Sequence, residues 1–439
     1  MRTASPLDLV GIGFGPAGVA LAAAIEDVGE RHGVELAGRV AFFEKSSHPG
    51  WQTGLLFRNA DIQHHYLRDL ATPRDPRSRF TFANFLKEQD RIFEFGSLVY
   101  GGGGGAVSRI EWSEYVAWAA RLLDGYVTYE SPVKAVRLTR FQDKELLAVT
   151  VPEGEVLTRA IAYCGGGDLY YPPVFRDHIC DRVFHATGFL DKLKTLRLTS
   201  DTRVSIVGAG QSAIEIVQYL HNTYPGMKVH CIQRTLGYHH GNHSPFIQRM
   251  FHPKESDYFF SLSPQARKRV LDEVARANYA AVDREAVGAL YRTLYEDKLL
   301  GTTRIRMMPG TDVVAARKDD HGVFQLDTVN HHDGAAETVA ADVVVLATGF
   351  VEHALPAVLQ PLSSILCLNE LGDPDVNHDY SIKTTSKSHP VIYISGAAEP
   401  SHGLGSSASF SMIALKAERV TASLAARGLL PGRRSPEVA

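Results

Sequence analysis

Cysteine is scarce in this chain. Cys164, Cys180, Cys231 and Cys367 stand far apart with no CxxC pair among them, which argues against a disulfide framework, a thiolate metal site and a redox-active dithiol. An excess of either charge is lacking as well. With 46 basic and 49 acidic residues the net charge is -3, the pI is near 6.7, and the signs are interspersed, so no basic field for nucleic acid exists. No uninterrupted apolar run approaches the length of about twenty residues that a membrane helix needs. The first strand is expected within a few residues of Met1, which leaves no targeting segment and points to a cytoplasmic protein. His239, His240 and His243 cluster with Asn242 but match no zinc spacing, and no metal is expected. Neither a Ser-His-Asp arrangement nor a paired-carboxylate apparatus is evident.

What is present is enough apolar material for a substantial core, 44% of 439 residues, a length that suits two to three domains. Two glycine-rich turns dominate the pattern: Gly13-Phe14-Gly15-Pro16-Ala17-Gly18 and Gly208-Ala209-Gly210-Gln211-Ser212-Ala213. Each follows a short apolar run and opens an apolar helix. One such fingerprint is a weak signal, but a strand before, a helix after and a second copy point to two dinucleotide sites in one chain.

At the first turn, Leu7 to Val10 reads as a buried parallel strand, and Gly11, Gly13 and Gly15 let the backbone approach a pyrophosphate at a helix N-terminus. Pro16 suits the first helical turn, where its missing N–H costs nothing. The next strand, Val40 to Phe43, ends in Glu44, whose carboxylate can accept both hydroxyls of an adenosine ribose. Asp27 to Gly38 reads as a long connection that stretches the usual spacing. A carboxylate there repels a 2′-phosphate, so the site suits FAD or NAD and not NADP. The second site differs: its following strand, Lys228 to Ile232, ends in Gln233-Arg234. An arginine fork matches a 2′-phosphate, which selects NADPH.

These readings give an α/β fold with two Rossmann-like dinucleotide-binding domains and a smaller, mostly helical substrate-binding region. The boundaries expected are 1–172 with 338–430 for a discontinuous FAD domain, 173–237 with 300–337 for the NADPH domain, 238–299 for the helical region, and a disordered tail at 431–439. Ser263-Pro264 marks a helix start in the insert, with Val270, Val274 and Ala277 continuing an apolar face. Gly101 to Gly105 reads as a mobile loop, because five glycines make no stable helix or strand. The helix Ser411 to Ala426 follows the last strand, Val391 to Ser395, as a cap over the flavin ring.

The chain resembles the flavin-dependent N-hydroxylating monooxygenases, the class of the L-ornithine and L-lysine N-monooxygenases. The segments that carry the resemblance are GFGPA at 13–17, Trp51-Gln52, IQHHYLRDLATPRDPRSRFTFANFL at 62–86, GAGQSA at 208–213, HSPF at 243–246, NYAAVD at 278–283, ATGF at 347–350 and SHGL at 401–404. The stretch Asp69 to Leu86 is the most specific. The resemblance implies an enzyme that uses FAD, NADPH and O2 to hydroxylate a primary amine through a C4a-hydroperoxyflavin, in siderophore or other natural-product biosynthesis, and that assembles as a homo-oligomer, commonly a tetramer. By the same resemblance Glu44, Lys45, Trp51, Gln63, Val133, Ser406 and Ser407 lie along FAD with the first turn. Gly208, Ala209, Gly210, Gln211, Ser212, Arg234 and Tyr279 hold NADPH. Arg68, Gln248, Phe251, Asn278 and Ser411 face the substrate, and Asn278 and Gln63 also serve the chemistry.

Several departures bear on the substrate. Arg68 stands where the family usually has lysine, against the substrate carboxylate, and Gln248 where it has asparagine; His64 and His65 replace apolar or small residues, and the glycine run at 101–105 replaces an aromatic-proline segment. Gly18 replaces a frequent asparagine on the flavin side. Altered specificity and neutral drift both remain open on these residues. Among other functions, a disulfide reductase lacks its dithiol, and the FxGxxxH signature of Baeyer–Villiger and sulfur-oxidising flavin monooxygenases is missing. A decayed flavoprotein is disfavoured by the intact Glu44, Gln63, Arg234 and Asn278.

Overall fold

The computed structural model describes residues 5–103, 107–241, 244–279, 281–396, 398–406 and 409–432. Two five-stranded parallel sheets organise it. The first runs in the order Val391–Ile394, Ala160–Tyr163, Leu9–Ile12, Val40–Phe43, Val127–Thr128, so the first and last of the described strands lie in one sheet. The second runs Ile305–Met308, Lys228–Ile232, Arg203–Val207, Val343–Leu346, Val183–His185. Strands such as Leu9–Ile12 and Val343–Leu346 are buried along their whole length, as parallel strands covered on both faces are. A three-stranded antiparallel sheet accompanies each, Ala135–Phe141 with its two neighbours and Thr311–Lys318 with its two.

The helix after the first turn, Pro16–His32, begins with Gly15 as its N-cap and Pro16 in its first turn. It ends where Gly33 adopts φ 64° and its N–H reaches back to the carbonyls of Glu30 and Gly29. Half of the stretch expected as a long connection, Asp27 to His32, therefore belongs to the helix. Asp27 is not a loop residue: it is buried inside the helix and pairs with the buried Arg74 at 2.5 Å. Gly18 packs against the turn itself, where an added Cβ would lie 2.3 Å from the Gly13 carbonyl oxygen. The asparagine common in the family at this position does not fit here without moving the helix.

Three further expectations are corrected. Val343–Leu346, expected with the FAD domain, pairs with Arg203–Val207 and Val183–His185 in the second sheet, so the chain crosses back only after Leu346. The helix Arg284–Leu300, expected in the substrate region, packs through Leu290, Val287 and Leu294 on the core of the second sheet. Within the glycine run, Val99–Gly103 forms one turn of π-helix, and 104–106 lie outside the described residues. The tail expected at 431–439 likewise falls outside from 433 onward.

The rest of the insert covers the returning segment. Ser263 caps the helix Pro264–Val274, its Oγ accepting the Ala266 N–H. Phe251, Val274 and Leu404 form a small core of their own, joined by Val270 and Ala277. The two connections between the sheets also meet, Asp168–Leu169 pairing antiparallel with Phe350–Val351.

Candidate active site

At the first turn Gly13 takes φ 94°, and its N–H donates to the Phe43 carbonyl at 2.9 Å, tying the turn to the end of the neighbouring strand. A Cβ on Gly15 would meet nothing within 4 Å, so open space faces the helix N-terminus where a pyrophosphate belongs. Gly11 plays a different part from the one expected: it sits within Leu9–Ile12, and a Cβ there would lie 2.0 Å from the Phe42 ring. It makes room for packing. Glu44 Oε2 accepts the Phe14 N–H at 2.6 Å and Oε1 the Ser46 N–H at 2.8 Å. The carboxylate is thus held at the strand end with lone pairs left over for a ribose.

The other FAD-side residues converge less directly. Lys45 is exposed, and Val133 is half-buried against the first core. Trp51 stands edge-on to Phe410, ring centroids 5.2 Å apart. Ser406 is fully buried, its Oγ bonded to the Tyr380 hydroxyl at 2.9 Å and its carbonyl accepting from the Ala398 N–H and Lys416 Nζ. Ser407 lies outside the described residues.

The second turn repeats the design. Gly208 has φ 136°, and a Cβ would lie 2.1 Å from the Ala347 carbonyl oxygen, whereas Gly210 faces open space at the N-terminus of the helix Gln211–Thr223. A cavity of about 370 Å³ opens here, lined among others by Gly208, Ala209, Gly210, Arg234, Tyr279 and Thr348. Ser212 is half-buried in the first helical turn. Arg234 is largely exposed and has only a loose contact, 3.9 Å from Nε to Asp312 Oδ1, so its guanidinium is available to a phosphate. The two cradles fit FAD and NADPH.

The specific stretch from Asp69 is a structural knot and not a catalytic constellation. Asp69 accepts the N–H groups of Ala71, Thr72 and Phe82 and the Thr72 hydroxyl, and burial pushes its carboxyl up against those bonds. Arg74 then ties the loop to the first helix. The knot holds Arg68 in place. Arg68 Nη1 donates to Ser411 Oγ at 3.1 Å, and its guanidinium lies 5.9 Å from the centre of the Phe251 ring. Three of the expected substrate residues therefore meet, from the loop, the insert and the returning segment. Among the described residues no carboxylate pairs with Arg68, which is half-buried, and desolvation lowers its pKa. Gln248 is half-buried at the end of the short helix Pro245–Gln248.

Asn278 follows the turn Ala275–Ala277 and directly precedes Tyr279. The Tyr279 hydroxyl donates to Glu399 on the returning segment. Burial raises the Glu399 carboxyl to about 7, with Glu352 adding to the rise. His64 sits between Trp112 and Phe410, with centroids 5.1 and 5.3 Å away, and burial pushes it down to about 4, so its ring is neutral. His402 stacks on Tyr380 at 3.9 Å and is neutral for the same reason.

Sequence reading missed a chain of polar contacts beneath both cradles. Arg109 and Glu215 form a buried two-pronged ion pair at 2.7 and 2.8 Å, and Arg109 also donates to the carbonyls of Leu55 and Asp61. Gln211 Nε2 donates to Glu215 at 2.9 Å, Gln211 Oε1 accepts the Asp283 N–H at 2.9 Å, and Gln63 Nε2 donates to Asp283 Oδ1 at 3.0 Å. No local motif announces Arg109 or Glu215, and NYAAVD at 278–283 contains Asp283 without showing what it bonds, because the partners across the sheets are distant in sequence.

Residues 5–352 match the family described as L-lysine 6-monooxygenase/L-ornithine 5-monooxygenase. The chain belongs to this family. It is 31% identical over 417 residues to an L-ornithine N(5)-monooxygenase of Burkholderia cepacia, covering 92% of this chain and 91% of that one. Among solved structures it is similar to the Kutzneria sp. 744 ornithine N-hydroxylase, described with reduced FAD, NADP⁺ and L-ornithine, at TM-score 0.87 and 31% identity over 97% of this chain and 100% of that one. The L-lysine 6-monooxygenase of Pseudomonas syringae is similar to the same degree, at TM-score 0.82 and 33% identity over 95% and 99% of the two chains. This monooxygenase is a flavoprotein that uses FAD and NADPH, as its two cradles require. Among the described residues no helix is long and apolar enough to cross a membrane.

Proposed function

We propose that this monooxygenase N-hydroxylates the side-chain amine of L-ornithine or a closely related amino acid or diamine, in siderophore or other natural-product biosynthesis. The observation that carries the reading is the Arg68 guanidinium held between Ser411 and Phe251. A planar cation with no carboxylate partner among the described residues is suited to clamp the carboxylate of an amino acid. Relatives of both ornithine and lysine type support the class.

Reduced FAD supplies the activated oxygen when bound. The chain's own residues bind, orient and keep water out. Arg68 fixes one end of the substrate and so sets how far its amine reaches. Trp51, His64, Trp112 and Phe410 pack into an aromatic cluster beside the substrate residues, edge to face except for the tilted His64–Phe410 pair, with no charge on His64. The amine must arrive unprotonated, since a protonated amine has no lone pair to offer. By the same reading the enzyme works in the cytoplasm as a homo-oligomer, which light scattering on the purified protein reads.

The test is NADPH consumption by the FAD-loaded protein, with hydroxylamine assayed across ornithine, lysine, short diamines and other small amines. Stoichiometric hydroxylamine from ornithine is the expected result. Peroxide alone with every amine would sink the substrate class.

A further inference from the structure

Asp283 stands at the N-cap of the helix Arg284–Leu300, where an aspartate ordinarily accepts the N–H two or three residues on. It makes no such bond. Its Oδ1 instead accepts Gln63 Nε2 at 3.0 Å, across 220 residues of sequence. The main-chain N–H of the same residue donates to Gln211 Oε1 at 2.9 Å. One residue thus touches a loop of the flavin side with its carboxylate and the nucleotide turn with its backbone.

Both ends of this contact are fixed. Behind Asp283, Ala281–Val282 pairs with His239–His240, and Val282 is buried in the second core. Ahead of it, Gln218 Nε2 donates to the Ala286 carbonyl and ties the two helices together. Gln211 is the first residue of the helix whose N-terminus faces the nucleotide cavity, and its Nε2 is held by Glu215, itself locked by Arg109. Gln63 carries the strain, with φ 59° in a region where glutamine is rare. Such a conformation persists only where the surroundings impose it.

We propose that Asp283 is a positioning residue that couples the two cofactor sites: nucleotide bound at the Gly208–Ser212 turn fixes Gln211, Gln211 fixes Asp283, and Asp283 holds Gln63 against the flavin. The inference rests on Gln63 lying along FAD. It predicts that oxidised nucleotide left in place after hydride transfer keeps Gln63 ordered, so that water is kept from the flavin and peroxide release is slow.

The experiment reads NADPH oxidase activity, peroxide released with no amine present, so the identity of the substrate does not enter. It compares the FAD-loaded wild type with D283A, D283N, Q63A and the D283A/Q63A pair, with and without added NADP⁺. D283A is expected to release peroxide roughly fivefold faster, the factor of one hydrogen bond, and to lose the slowing by NADP⁺. Its NADP⁺ dissociation constant, read by calorimetry, is expected to stay within about twofold, because the bond to Gln211 uses the backbone. D283N keeps an acceptor for Gln63 and is expected to behave as wild type. The pair is expected to match Q63A alone, which a merely structural loss would not produce. If Q63A leaks peroxide but D283A does not, or if the two effects multiply, the coupling is wrong. If neither variant leaks, the placement of Gln63 at the flavin falls as well.

Discussion

Arg109, at the start of the helix Arg109–Leu122, and Glu215, on the helix Gln211–Thr223, grip each other through both guanidinium nitrogens and both carboxylate oxygens at the boundary between the two sheets. Both side chains are buried. Removing one charge leaves the other uncompensated, which costs about 3–5 kcal/mol. Glu215→Gln should therefore lower the guanidinium unfolding midpoint well below wild type, and Arg109→Met with Glu215→Leu should recover most of the loss. An unchanged midpoint in E215Q would show that the pair contributes nothing.

Arg68 makes a prediction about substrate and not about flavin. A hydrogen bond to a charged group is worth about 1.5–3 kcal/mol, so Arg68→Ala should raise the amine KM by roughly tenfold to a hundredfold. NADPH oxidation without amine should hardly change, since binding is lost and not the chemistry of the cofactor. A KM that stays put would remove Arg68 from the substrate site.

Arg234 is the residue expected to tell NADPH from NADH. Its guanidinium is exposed beside the cavity with only a loose contact to Asp312. Arg234→Ala should raise the NADPH KM by roughly tenfold, the worth of one charge-assisted contact, and leave the NADH KM unchanged. Equal effects on both nucleotides would place Arg234 away from the 2′-phosphate.

Glu399 gives a pH signature. Its carboxyl is raised from 4.5 to about 7 by burial, so the folded protein favours the protonated form. The stabilisation is full below pH 4.5, falls as pH rises through about 7, and is gone above it. Wild type should lose stability relative to Glu399→Gln between pH 5 and pH 8, measured as denaturation midpoints in urea. Parallel curves for the two proteins would show that Glu399 titrates as an ordinary carboxylate.

Both nucleotide turns were legible because their signals are local: glycines at fixed spacing, a strand before, a helix after, and Glu44 or Arg234 at the next strand end. Arg68 and Ser411 were legible only through family resemblance, and the structure brings them into contact. Sheet membership was not legible at Val343–Leu346, because a fully buried apolar strand carries no mark of which sheet it enters. The length of the first helix was misread from Asp27 onward, because nothing local shows that Asp27 is buried and paired with Arg74. The polar chain from Gln63 to Arg109 was invisible for the same reason: apart from Gln211 to Glu215, four residues apart, its contacts span 220, 72 and 106 residues, and no local window records those.

The pairing of Asp168–Leu169 with Phe350–Val351 means that the chain leaves the first sheet and returns to it through one two-stranded ribbon. The second sheet is then a detour whose entrance and exit coincide. Tension applied between the strands Ala160–Tyr163 and Val391–Ile394 is borne by their own pairing and never passes through the nucleotide-binding part. The ribbon is not the whole of the joint, since the Arg109–Glu215 pair and the Gln63–Asp283 bond also cross it, so a swing of the second sheet must break both while the first sheet's hydrogen bonds stay as they were.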